Sequence, residues 1–215
     1  VIFEEDFLKE FCQLSLAGGR NVAIDVGANA GEWTRWMAIE FDNVVACEPD
    51  SRAFGFMKSL GVPHNALLLP LAVGREAGAQ NFYLREDIRQ SSLQEEHPIG
   101  GADQKPVRSI AQETVGVTTL DLLVDICHLI YPFQPIDLIK IDVEGSEADA
   151  LAGVAKWRDR FAPTRWIIEV HDTAEAVGRE LERLGYTDLR VLKHPYPSAH
   201  PGHLWIFVPA RETSE

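Results

Sequence analysis

At 215 residues the chain is long enough to bury one sizeable core, and its composition, 46% hydrophobic and 25% charged, is that of an ordinary globular protein. With 33 acidic against 20 basic residues the net charge is −13, which repels a phosphate backbone and sets nucleic acid aside as a partner. No apolar run approaches the roughly 20 residues a membrane helix needs, and the N-terminus lacks a basic stretch followed by an apolar one, so a soluble, cytoplasmic protein without a membrane partner is expected.

Apolar runs of strand length alternate with stretches of helical periodicity, the pattern of an α/β domain on a mainly parallel sheet. Val22 to Val26 is the first strand, and Trp33, Met37 and Phe41 then mark one face of a helix. Val44 to Cys47 is a second strand closed by Glu48-Pro49, and Ser51 to Leu60 a helix ended by Gly61 and Pro63. Ala66 to Val73 reads as a third strand. From Gly74 to about Gly116 the alternation is lost, with Pro98, Gly100, Gly101 and Pro106 in the segment. An irregular insertion with one short strand at Asn81 to Leu84 is expected there, and long loops in compact domains tend to carry function. A strand at Val117 to Leu120 leads into a helix from about Asp121, with Leu123, Ile126 and Ile130 on one face. The strand Ile136 to Val143 precedes a helix in which Ser146-x-x-Asp149 resembles a capping box and Ala148, Leu151, Ala152 and Ala155 make a buried stripe, ended by Pro163. Trp166 to Val170 is a further strand and Ala174 to Leu184 a helix closed by Gly185. Leu189 to Leu192 and Leu204 to Val208 are terminal strands expected to pair antiparallel at the sheet edge. The chain reads as a single domain, residues 1–215, with its insertion at about 74–116.

Cys12, Cys47 and Cys127 lie far apart in apolar surroundings and read as buried, reduced thiols. The loop His194 to His203, broken by three prolines, reads as a surface or lid loop rather than a metal site.

In an open parallel sheet, ligands bind beyond the carboxyl ends of the strands. The first such end is Asp25-Val26-Gly27-Ala28-Asn29-Ala30-Gly31. Gly27 can take positive φ and leaves room for a ligand, Asn29 tolerates the left-handed region, and Gly31 lets the next helix pack closely. The spacing is Gly-x-Asn-x-Gly, not the GxGxxG of a pyrophosphate cradle, and the Asp25 carboxylate suits a cationic ammonium better than a phosphate. Glu48, 21 positions beyond Gly27, stands where a dinucleotide fold places the acid that accepts from ribose hydroxyls. Lys140, Asp142 and Glu144 alternate onto one side of their strand, and either pair with each other at the sheet margin or face a ligand. Glu169 and His171 alternate likewise, and His171 is a candidate base near neutral pH. Asp142, Glu144, Glu169 and His171 together could also hold a hard divalent ion, although no resident metal is required.

These motifs together resemble class I methyltransferases dependent on S-adenosylmethionine, and among them the FkbM family. The resemblance rests on "IDVGANAGEWT", "VVACEPDSRAF", "LAVG" at Leu71 to Gly74, "SSL" at Ser91 to Leu93, "TTLDLLV", and "IDLIKIDVEGSEADALAGV" followed by "WIIEVHD". It implies a Rossmann-like, doubly wound, mainly parallel seven-stranded sheet with an antiparallel edge strand, and methyl transfer to a hydroxyl of a small molecule such as a sugar or polyketide-like alcohol. By that similarity Asp25, Gly27, Asn29 and Gly31 would line the methionine and ribose portion of S-adenosylmethionine, and Glu48 would bind the ribose. Ala72 would lie near the adenine, and Asp142 would hold the amino-acid part. Glu144 and His171, with Asp142 behind them, would be the candidate bases. Acceptor specificity would lie in the Gly74 to Gly116 segment, where Ser91 and Ser92 are the substrate candidates. The glycine turn with Glu48 leaves a nicotinamide-dependent oxidoreductase open, and the acidic surface a non-catalytic cofactor-fold module; an oligomer is compatible with either.

Overall fold

Pro70 interrupts what otherwise reads as one apolar strand, because it offers no N–H to a ladder. The computed structural model, which describes residues 16–95, 108–157, 161, 164–193 and 203–210, divides the run there into β3 (Ala66–Leu69) and β4 (Leu71–Val73). The two halves belong to different sheets. The larger sheet also contains β1 (Val22–Val26), β2 (Asn43–Cys47), β7 (Ile136–Ile141), β8 (Arg165–His171), β9 (Arg190–Lys193) and β10 (His203–Val208), in the order β3-β2-β1-β7-β8-β10-β9. Neighbours pair in parallel except β10, which runs against both β8 and β9 and lies one place in from the edge. The smaller sheet sets β4 parallel to β6 (Ala111–Thr118), which pairs antiparallel with β5 (Gly78–Leu84). The segment expected to be irregular with one short strand at Asn81 to Leu84 therefore holds, among its described residues, an antiparallel ladder of β5 on β6. Its alternation was hard to read because β5 begins with four exposed residues, Gly78 to Asn81, before any inward side chain.

Helices cover both faces of the large sheet: α1 (Glu32–Glu40), α2 (Ser51–Ser59), α3 (Leu120–Ile130), α4 (Glu147–Ala152) and α5 (Ala174–Arg183). Val22, Ile24 and Val26 of β1 point into one apolar cluster with Ile139 and Ile141 of β7 and with Leu123, Cys127, Leu151 and Leu181 of α3, α4 and α5. On the opposite face Ala23 packs with Met37, Leu138, Ile167 and Trp205. Period-two alternation thus sends β1 into two cores at once. In α3 the inner face is Leu120, Leu123, Val124 and Cys127, while Ile130 is half exposed, so the expected Leu123–Ile126–Ile130 stripe is rotated by about one position. In α4 Leu151 of the expected stripe is buried beside Glu147 and Ala150, Ala148 packs at the margin of the same core, Ala155 is exposed, and the helix ends at Ala152, well before Pro163. The Ser146 side chain forms no cap; its hydroxyl instead accepts from Gln94 Nε2 at 3.2 Å.

Cys47 and Cys127 are buried free thiols, and burial raises both pKa values, Cys127 to about 12. Cys12, most of the loop His194 to His203, and Pro98, Gly100, Gly101 and Pro106 lie outside the described residues. Among the described residues no helix is long and apolar enough to cross a membrane.

The turn between β1 and α1 carries positive φ at Gly27 (76°), Asn29 (48°) and Gly31 (77°). A Cβ on Gly27 would lie 1.8 Å from the carbonyl oxygen of Asp142, so the space beside this glycine is filled by the chain leaving β7 rather than left for a ligand. At Gly31 the added atom would meet Met57 Cγ and Sδ at 2.7 Å, which fits the expected close helix packing. Gly27→Ala is expected to cost about 3 kcal/mol and lower the thermal midpoint by roughly 6–12 °C. Calorimetry checks this, and an unchanged midpoint would mean the turn can re-form without the glycine.

Candidate active site

Strand order reverses between β1 and β7, since β2 and β3 extend to one side of β1 and β8 onward to the other side of β7. The carboxyl ends of β1, β2, β7 and β8 meet at that switch point. At the end of β2, Glu48 is 5% exposed. Its Oε2 accepts from the Asn29 backbone N–H at 2.7 Å and its Oε1 from the Asp50 N–H at 2.7 Å. Each carboxylate oxygen keeps a second lone pair for a ligand hydroxyl. Burial pushes the Glu48 carboxyl up to about 7, only partly opposed by the two N–H donors. Asn29 closes its own turn, its Oδ1 accepting from the Ala30 N–H at 2.7 Å while its Nδ2 donates to the Ile88 carbonyl at 3.4 Å.

Asp25 occupies a different place from the one its sequence context suggests. It is fully buried, Thr34 Oγ1 donates to its Oδ2 at 2.6 Å, and its Oδ1 lies 3.2 Å from Lys140 Nζ. The cation it faces is supplied by the chain, because Asp25 and Lys140 are register partners across β1 and β7 and point to the same face. Lys140 also donates to the Gly27 carbonyl at 2.9 Å and lies 3.3 Å from Asp142 Oδ2. Burial alone would lower the ammonium's pKa, but Asp25 and Asp142 raise it above the usual lysine value. Lys140 thus ties the glycine turn to the end of β7.

Beyond Ile141 the strand is over, and Glu144 reaches the site through a left-handed turn (φ 54°) rather than through strand alternation. The turn delivers Asp142 and Glu144 toward His171 at the end of β8. His171 Nε2 lies 3.6 Å from Glu144 Oε1, 3.8 Å from Asp142 Oδ1 and 4.0 Å from Glu169 Oε1. Its Nδ1 faces Glu147 Oε1 at 2.8 Å. Glu147 is fully buried and also accepts from the Gly145 N–H at 2.9 Å and from Thr173 Oγ1 at 2.7 Å. Desolvation by burial disfavours the charged imidazole, but Glu144, Glu147 and Asp142 outweigh it and hold its pKa well above the ordinary value. With carboxylates facing both ring nitrogens, the geometry suits His171 to orienting Glu144 and balancing its charge as well as to the base role its sequence position suggests. Burial and the Asp142 charge push the Glu169 carboxyl up to about 8. Asp142, Glu144 and His171 each offer a ligand atom within 4.8 Å of the others, the spacing of a metal site.

Ser91 and Ser92 are buried, with their hydroxyls engaged within their own loop. Ser91 Oγ accepts from the Arg85 backbone N–H and from Arg52 Nη2, both at 3.1 Å, and Ser92 Oγ accepts from the Gln94 N–H at 3.1 Å. The Arg85 guanidinium, fully buried, donates to the carbonyls of Gln90 and Gln94 at 2.8 Å each. These serines therefore shape the loop rather than present hydroxyls to a substrate. Ala72 packs with Phe82, Leu84, Val115 and Val117 in the core of the small sheet. Sequence reasoning missed Glu147, Thr34 and Arg85, of which Glu147 had one available signal, an acid in the first turn of a helix following a strand and turn.

Fold and site together define a doubly wound α/β protein with its acids and histidine gathered at the carboxyl edge of its sheet. The model of the methyltransferase FkbM domain matches residues 25–192, and the chain belongs to that family. A methyltransferase FkbM from Methylobacillus flagellatus KT is similar in structure at TM-score 0.57 and 15% identity, over 88% of this chain and 43% of that one, so the chain spans less than half of that protein. An rRNA methylase from Streptococcus thermophilus superposes at TM-score 0.53 and 13% identity, over 99% of this chain and 100% of that one. A putative methyltransferase from Streptococcus mutans, in complex with SAH, superposes at TM-score 0.53 and 14% identity, over 97% of this chain and 99% of that one. At these identities the likenesses establish the fold. No curated protein matches in sequence.

Proposed function

We propose that the chain is an S-adenosylmethionine-dependent methyltransferase acting on a hydroxyl oxygen of a small molecule. The observation that carries this reading is the meeting, on one sheet edge, of a ribose-type acceptor with a separate acid and histidine cluster. Glu48, with a lone pair free on each oxygen, and the Asn29 turn would hold the ribose. Asp142, its side chain 23% exposed, would face the amino-acid end. S-adenosylmethionine supplies a methyl group already activated on a sulfonium, so the protein's work is alignment and removal of one proton. The hydroxyl proton would pass to the Glu144 carboxylate, because the acids around His171 favour its charged form. His171, fixed by Glu147, would then orient Glu144 and offset its charge.

Calorimetric titration with S-adenosylhomocysteine and with NAD tests the cofactor, and heat with NAD alone would replace this reading by an oxidoreductase. Heat with neither would favour the non-catalytic module. A screen of hydroxylated acceptors with labelled S-adenosylmethionine then tests the reaction. The net charge of −13 supports a small-molecule acceptor over RNA, although one structural neighbour is an rRNA methylase.

The raised Glu48 pKa adds a pH signature. Ribose hydroxyls donate to an ionised carboxylate, so binding favours loss of the Glu48 proton. S-adenosylhomocysteine affinity is therefore expected to rise about tenfold per pH unit below about 7 and to level off above it. Glu48→Gln should weaken binding and flatten the profile; a profile with the same slope in the variant would assign the titration to another group.

A further inference from the structure

We propose that Asp142, Glu144 and His171 form a site for one divalent cation of the Mn²⁺ class, whose open positions take the acceptor hydroxyl oxygen. The part assigned to the acceptor rests on the methyl-transfer reading, whereas the ion site stands on its own geometry. Metal–ligand bonds of about 2.1 Å set cis donors about 3 Å apart and trans donors about 4.2 Å apart. Nε2 of His171 lies 3.6 Å from Glu144 and 3.8 Å from Asp142, and all three donors fall within 4.8 Å of one another, so small side-chain rotations complete the set.

A further feature favours an ion. Glu147 accepts from Nδ1 of His171 and so turns Nε2 toward the carboxylates, the arrangement by which carboxylates outside a metal site orient a ligating imidazole. Two carboxylates with one imidazole suit Mn²⁺ and related hard to borderline ions, and three protein donors leave positions for water or a hydroxyl. An alcohol oxygen held there would lose its proton more readily.

The test uses the whole chain, freed of metal with chelator and titrated with Mn²⁺ while electron paramagnetic resonance follows the free aquo ion. One ion per chain is expected, with Glu144→Gln and His171→Ala weakening it at least about tenfold. Glu40→Gln, a change at the amino end of the sheet where Glu40 pairs with Arg20, should leave it unaltered. Glu144 lies on a partly exposed turn, so its variant keeps the question open to decision even if His171→Ala fails to fold. No binding below millimolar Mn²⁺, or equal binding by wild type and Glu144→Gln, would overturn the site in favour of diffuse attraction to an acidic surface. Calorimetry with S-adenosylhomocysteine on the same samples separates the two readings. Cofactor binding without Mn²⁺ binding removes the ion and leaves the methyltransferase, and the converse result does the reverse.

Discussion

Glu144→Gln is expected to lower methyl transfer by about 10²–10⁴-fold while changing affinity for S-adenosylhomocysteine by no more than about threefold. The size is that of losing a positioned proton acceptor, or an oxygen ligand to an ion that activates the hydroxyl. The asymmetry between rate and binding follows from location. Glu144 projects from the left-handed turn after β7 toward His171, whereas the proposed ribose contacts belong to Glu48 and Asn29 at the ends of β2 and β1. His171→Ala should also depress the rate, through loss of Glu144's orientation, and should in addition destabilise the fold by leaving Glu147 buried without its cationic partner. Single-turnover rates beside calorimetric affinities check the pair. Unchanged turnover in Glu144→Gln would remove it from the chemistry, and a parallel collapse of cofactor binding would show a structural role instead.

The second large effect concerns stability. Lys140→Met is expected to destabilise the chain by about 3–5 kcal/mol, roughly 10–15 °C in thermal midpoint, because it leaves the fully buried Asp25 carboxylate without its cation. The double variant Lys140→Met with Asp25→Asn should recover much of that loss, since removing both charges also removes the unpaired one. A single variant as stable as wild type would mean that the Lys140–Asp25 pair contributes no net stability. Lys140 also anchors the Gly27 carbonyl, so the variant should weaken S-adenosylhomocysteine binding by loosening the β1–α1 turn.

Both predictions concern groups whose surroundings the linear pattern concealed. Lys140 was visible as a charge in an apolar strand, and its two possible settings, paired at a margin or facing a ligand, were both legible. Choosing between them needed the register of β1 against β7, which puts Asp25 beside it. Glu144 was selected by an alternation that does not exist, because the strand stops at Ile141, yet a left-handed turn brings its carboxylate to the same cluster. Ser91 and Ser92 were read as open to a substrate, and only the folded loop shows their hydroxyls held by Arg85, Arg52 and Gln94. Glu147 was passed over because a helix-capping pattern gave Ser146 and Asp149 a local purpose, whereas the partner that matters to Glu147 is 24 residues away.

By itself the sequence determined the order of strands and helices, the glycine turn after β1 and the acid after β2, because periodicity and turn chemistry are local properties of the chain. It also carried the family, through motifs whose residues stand in a set order. Tertiary structure alone decided that Pro70 hands the chain from one sheet to another, that Asp25 serves Lys140, and that His171 stands among four carboxylates, which favour its charged form. Those outcomes depend on which strand ends lie side by side and on how much water reaches them, and charge in a buried setting is governed by such neighbours rather than by position along the chain.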